Sequence, residues 1–145
     1  MNSDRWYRWL LCSSVFFVFF GVVTALAPHS IFLSPWTQAV DSWLFPGEVP
    51  PQVVTLRSFM MALLGATIAG SYLLQTFVVV FAFRRGEKWA WHAILWSNVL
   101  WFLVDSSMSL HYGAYFNIYM INIFPLVVFG IPLFATRSML KRETS

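Results

Sequence analysis

The chain has 145 residues, 59% of them hydrophobic and 19% aromatic, with only 10% charged and a mean hydropathy of +0.67. Soluble domains carry roughly 25% charged residues, and a chain this short has too little interior to hide so much apolar surface, which excludes an ordinary water-soluble globule and makes the bilayer the expected solvent. The net charge of +3 and pI near 9.4 do not point to nucleic acid, because the basic residues flank apolar segments and form no stripe, and the single cysteine, Cys12, excludes an internal disulfide.

Four apolar runs, residues 10–27, 53–83, 89–110 and 115–136, are each close to or above the roughly 20 helical residues that cross a hydrocarbon core of about 30 Å. Backbone groups in lipid find no water, so each run is expected to be a helix. The sequence therefore predicts an all-α membrane protein, a four-helix transmembrane bundle forming one domain over 1–145. Arg5 and Arg8 precede the first run, Arg84, Arg85 and Lys88 join the second to the third, and Arg137, Lys141 and Arg142 follow the fourth, whereas the segments 28–52 and 111–114 hold no lysine or arginine. Eight of the nine basic residues thus fall on one side, and the positive-inside rule predicts that both termini are cytoplasmic. Trp6, Tyr7, Trp9, Trp89 and Trp91 mark the inner interface and Trp36, Trp43, Tyr112 and Tyr115 the outer one. Ala25-Leu26-Ala27 mimics a signal-cleavage site, but the apolar run is long for a signal and Pro28 would become the first mature residue, so the segment reads as a retained span.

In the outer loop 28–52, Ser34 is placed to cap a short helix over 35–44 that opens on Pro35. Trp36, Ala39, Val40, Trp43 and Leu44 share one face and Thr37, Gln38, Asp41 and Ser42 the other, the pattern of a helix lying at the membrane interface. The second span has two faces. Ala62, Gly65, Ala66, Ala69 and Gly70 form a small-residue stripe suited to close helix packing, within the chain or against a partner, and Arg57, Ile68, Ser71 and Gln75 lie roughly opposite.

Ionisable residues inside spans are costly and mark candidate sites. Arg57 sits about 6 Å and Asp105 about 9 Å below the outer surface at 1.5 Å per helical residue, and the matched depths predict an ion pair. Such a pair either locks two helices together or forms the polar end of a pocket. On the third span Asn98, Trp101, Asp105 and Ser109 recur at helical spacing. On the fourth, Asn117 enters at a depth similar to Arg57, and Asn122, about one and a half turns further on, is expected to point elsewhere. The candidate ligand site is therefore Arg57, Trp101, Asp105 and Asn117. Pro125 and Pro132 strip the carbonyls of Ile121 and Val128 of their helical partners and permit a bend. His29, His111, Asp41 and Glu48 lie on the outer side without metal-ligand spacing, and no cofactor motif is present.

The stretch Phe83-Arg84-Arg85-Gly86-Glu87-Lys88-Trp89-Ala90-Trp91, followed by Trp101-Phe102-Leu103-Val104-Asp105-Ser106, resembles small bacterial four-helix membrane proteins that have no assigned activity, which implies a bacterial plasma membrane. A looser architectural likeness is to the emopamil-binding and sigma-2 receptor superfamily, with four spans, abundant tryptophan and intramembrane acidic residues around a lipophilic ligand. That superfamily pairs its acidic residues, whereas Asp105 is the only carboxylate within a span here, so the likeness carries no isomerase chemistry across. Three functions remain open: binding or carrying a small lipophilic molecule in an outer-leaflet pocket, serving as an accessory or scaffold subunit of a membrane complex through the small-residue stripe, and a small membrane enzyme using Asp105. The expected partners are the bilayer and either a lipophilic ligand or a second membrane protein.

Overall fold

The computed structural model describes residues 2–45 and 47–137; Lys141 and Arg142, two of the cations used to orient the fourth span, lie outside the described residues. Their regular structure is all helical, with no strand among them: α1 (Asn2–Leu26), α2 (Ser34–Leu44), α3 (Pro51–Phe81), a 3-10 turn (Phe83–Arg85), α4 (Lys88–His111), α5 (Tyr115–Asn117), a π turn (Ile118–Asn122) and α6 (Ile123–Ala135). Four stretches are long and apolar enough to cross a membrane: Asp4–Leu26, Pro51–Arg85, Lys88–His111 and Tyr115–Ala135, the last being α5, the π turn and α6 in succession. Several hydroxyls within these stretches are satisfied locally. Ser14 donates to the Leu10 carbonyl at 2.8 Å, Thr24 to Phe20 at 2.8 Å and Thr67 to Leu63 at 2.9 Å, each closing a bond one turn back in its own helix.

The chain divides into two compact units, one comprising Phe16–Tyr72 and the other the segment before it together with the segment from Leu73 onward. In the first unit the later part of α1 packs against α3 through glycine. A Cβ built on Gly21 would lie 2.5 Å from the Ala69 nitrogen and 2.7 Å from the Gly65 carbonyl oxygen, and one on Gly65 would collide with the Ala25 backbone and the Gly21 carbonyl oxygen. The two helices thus meet backbone to backbone, at a spacing open only to residues without a side chain, and the reciprocal approach of each glycine to the other's carbonyl is the geometry of Cα–H···O contacts. Phe17 stacks on Tyr72 with ring centroids 4.7 Å apart. The small-residue stripe of α3 is therefore divided. Gly65 is buried and Ala62 and Ala69 are half-buried, whereas Ala66 and Gly70 are exposed, and nothing lies within 4 Å of a Cβ on Gly70.

Also in this unit, α2 begins at Ser34 with Leu33 at the capping position and no side-chain cap. This corrects the expected capping role: Ser34 is the first helical residue, one position past the cap, and its hydroxyl donates back to the Ile31 carbonyl at 2.8 Å. α2 buries none of its residues within the protein. Its Asp41 instead receives Arg57 of α3 in an ion pair, and nearby the Ser58 hydroxyl donates to the Val54 carbonyl while lying 3.0 Å from His29 Nε2.

The second unit is organised by polar bonds between helices and by tryptophans that donate to carbonyls of α6. Asn98 Nδ2 donates to Gln75 Oε1 at 3.2 Å and Gln75 Nε2 donates to Ser14 Oγ at 3.0 Å, a ladder linking α4, α3 and α1. Pro132 has no N–H for the Val128 carbonyl, and Trp9 Nε1 supplies the missing donor at 2.9 Å. Near the end of α6, Trp91 Nε1 donates to Leu133 at 2.9 Å. Packed beside these bonds, Leu10, Val79, Ile94, Phe129 and Leu133 form the apolar core of this unit.

Candidate functional site

The site grows from the junction of α4 and α5. Gly113, at φ +72°, ends α4 in the left-handed conformation that a side chain disfavours. The Gly113 N–H then bonds Leu110 at 3.1 Å and the Ala114 N–H bonds Ser109 at 2.8 Å, the paired closure of a Schellman motif. This tight reversal returns the chain immediately alongside α4, and Asn117, one turn into the returning helix, reaches back to the last turns of α4.

Asp105 is the centre of the cluster formed there. Its Oδ1 accepts from Asn117 Nδ2 at 2.8 Å, from Asn122 Nδ2 at 2.7 Å and from the Ser109 hydroxyl at 3.3 Å. Asn117 Nδ2 also donates to Ser109 Oγ at 2.9 Å, and Asn122 Nδ2 to Ser106 Oγ at 3.0 Å. Asp105 and Asn117 are half-buried, Ser106 and Ser109 are buried, and Asn122 is fully buried. Hydrogen bonds to a carboxylate are about twice as strong as neutral ones, so three donors on one oxygen hold this carboxylate in place.

The convergence of Asn117 and Asn122 overturns the expectation that Asn122 points away. Residues five apart in an α-helix lie about 140° apart around the axis. Here the backbone widens into a π turn over Ile118–Asn122, with the Ile123 N–H bonding the Ile118 carbonyl five residues back. That extra residue in the turn brings positions 117 and 122 to the same side. The π turn ends three residues before Pro125, whose missing N–H already disturbs the helical bonding of this segment, and such single π turns are frequent at functional sites.

Arg57 and Asp105, expected to pair, each have other partners within their own units: Arg57 is paired with Asp41 of α2, and Asp105 is held by amides and hydroxyls. Matched depth compared only residues within spans, while Asp41 sits on α2, in the segment between two spans, and reaches Arg57 of α3. Of the four residues expected to form a ligand site, Asp105 and Asn117 are therefore directly bonded, Trp101 is half-buried one turn before Asp105 on α4, and Arg57 is committed elsewhere. Ser106 and Asn122 join the site although the sequence pattern did not single them out for it. Among the described residues no group of three His, Cys, Asp or Glu side chains gathers as metal ligands.

Two acceptors of this cluster are left over. All three bonds to Asp105 end on Oδ1, so none of them occupies the second carboxylate oxygen. Asn122 Oδ1 is buried and has no hydrogen-bond partner among the described residues. The amide cannot simply be turned over to cure this, because its oxygen would then sit 2.7 Å from the carboxylate. No protein family, curated protein or solved structure matches the chain.

Proposed function

We propose that this chain is a membrane-embedded binding protein for a small lipophilic molecule whose polar end donates hydrogen bonds. The observation that carries this is the buried, unpartnered Oδ1 of Asn122, whose amide nitrogen is bonded to Asp105. An orphaned buried acceptor costs about 1–3 kcal/mol, and a donor brought by a ligand recovers that cost. Both leftover atoms are acceptors, so an amine or alcohol head suits them and a carboxylate head is repelled. The apolar remainder of the molecule belongs to the same solvent as the spans. Asp105 is the sole ionisable member of the cluster, its neighbours being amides and hydroxyls, which favours binding over proton transfer. Both termini on the cytoplasmic side and α2 lying in the outer interface complete the proposal; it is supported by the distribution of cations and by α2 having no buried residue of its own.

The test is thermal unfolding of the detergent-purified protein with dodecylamine, dodecanol or dodecanoate. A ligand at about a hundred times its Kd stabilises by roughly 2.7 kcal/mol. Dodecylamine and dodecanol are expected to raise the Tm, dodecanoate is not, and Asp105→Asn is expected to erase the difference. Equal stabilisation by all three, or an unchanged response in Asp105→Asn, sinks the proposal.

One observation favours a second reading, as a subunit of a larger membrane complex: the exposed Ala66 and Gly70 leave a small-residue face of α3 open. Under that reading Gly70→Leu releases a protein that otherwise co-purifies from native membranes, and purification of the wild type alone counts against it.

A further inference from the structure

Away from Asp105 in sequence, the end of α3 and the start of α4 line a shallow, open groove of about 360 Å³, within the roughly 300–1,000 Å³ common for small-molecule sites. Phe77, Val78, Phe81 and Ala82 form its apolar wall, recurring at the spacing of a single helix face. Arg85 and Trp89 stand at its head. Phe77, Phe81 and Trp89 are all more than half exposed, so this wall is covered by whatever surrounds the protein and not by the protein itself.

The polar end of the groove is already sorted by charge. Its only carboxylate, Glu87, accepts a hydrogen bond from Trp89 Nε1. The adjacent Arg84 lies over the Tyr7 ring, 5.5 Å from its centroid. Arg85 is exposed and makes no ion pair or ring contact among the described residues. The local backbone keeps it there: Gly86, at φ +77°, reverses the chain after the 3-10 turn and bonds back to Phe83 at 3.0 Å, and the Arg85 N–H is tied to Ala82 at 3.0 Å.

We infer that this groove is a binding site for one phospholipid, with the phosphate on Arg85 and an acyl chain along Phe77, Val78 and Phe81. A guanidinium presents a planar fork of donors that matches phosphate oxygens. Basic groups beside membrane-crossing helices at the headgroup level recognise lipid phosphates, and an indole such as that of Trp89 favours the same depth. Apolar wall, uncommitted cation and interfacial tryptophan occur here in the order in which a phospholipid presents tail, phosphate and headgroup region. This site is separate from the Asp105 cluster and stands or falls independently of it.

Native mass spectrometry of the detergent-purified chain tests this with two probes, dioleoyl phosphatidylglycerol and the dioleoylglycerol that lacks its phosphate. The wild type is expected to retain one phosphatidylglycerol and no dioleoylglycerol. Arg85→Gln is expected to weaken retention about tenfold, the loss of one charge-assisted contact. Arg84→Gln, whose guanidinium is already stacked on Tyr7, should change it less than about twofold, as a distant surface charge does. Arg85 is exposed, so its replacement leaves the fold intact, which circular dichroism verifies. Retention unchanged in Arg85→Gln, equal losses in both arginine variants, or dioleoylglycerol held as tightly as phosphatidylglycerol overturns the site.

Discussion

Two buried polar groups in the same unit of this protein are built to opposite rules. The ladder from Asn98 through Gln75 to Ser14 is closed: Asn98 Nδ2 also bonds the Ile94 carbonyl, the Ser14 hydroxyl ends on Leu10, and none of these side chains keeps an unpartnered buried atom among the described residues. The cluster on Asp105 is open, since it gathers three donors on one oxygen and still leaves Asn122 Oδ1 buried without a partner. A closed network returns its full worth to the fold. An open one gives part of that up, and the proposed ligand site rests on that deficit. Under that proposal the difference separates a structural use of asparagine and glutamine in an apolar segment from a ligand-binding one, although the residue types are the same.

The largest expected effect calibrates both groups. Gly65→Leu forces a side chain into the Ala25 and Gly21 backbones and is expected to cost about 2–3 kcal/mol, the range of overpacking, measured by steric trapping or reversible denaturant unfolding in micelles. Gly70→Leu, with open space around it, is the matched control and should not be destabilising, because leucine outranks glycine in a helix by close to 1 kcal/mol. Next, Gln75→Met breaks the middle of the closed ladder and should cost about 1 kcal/mol, since interhelical hydrogen bonds in membranes average near 0.6 and reach about 1.7. The smallest effect carries the contrast. Asn122→Leu removes two hydrogen bonds but also removes the orphaned acceptor, and is expected to change stability by less than about 0.5 kcal/mol while abolishing the response to dodecylamine. If Asn122→Leu destabilises more than Gln75→Met, the cluster is as structural as the ladder and the comparison collapses.

The four long apolar stretches are legible in the residues alone because a helix crossing lipid must carry about twenty apolar residues in a row, and no packing detail alters that. Asp105 stands out for the same reason, as a lone carboxylate in a span beside Ser109 at helical spacing. The direction of Asn122 is not legible on a uniform helical wheel, because the π turn at Ile118–Asn122 changes the angular step. Pro125 is the one clue to it, three residues beyond. The partner of Arg57 is missed because Asp41 looks like a water-facing residue of a surface helix until that helix is placed beside α3. Trp9 reads as one more interfacial ring, yet its indole serves the carbonyl that Pro132 frees; the proline points to the orphan and leaves the donor unnamed. Gly21 and Ala25 repeat on α1 the spacing of Gly65 and Ala69 on α3, and matching those two pairs is the sequence signal that would have found the crossing.

The state of a single atom separates an open cluster from a closed one. The side-chain carbonyl carbon of Asn122, labelled with carbon-13 and assigned by its disappearance in Asn122→Leu, reports by NMR whether Oδ1 accepts a hydrogen bond. Dodecylamine is expected to shift this resonance in the direction of a newly formed hydrogen bond, while the same concentration of dodecanoate leaves it in place. A resonance that already shows a hydrogen-bonded carbonyl in the ligand-free protein, or one that neither probe moves, contradicts the reading of Asp105 and Asn122 as an open acceptor site.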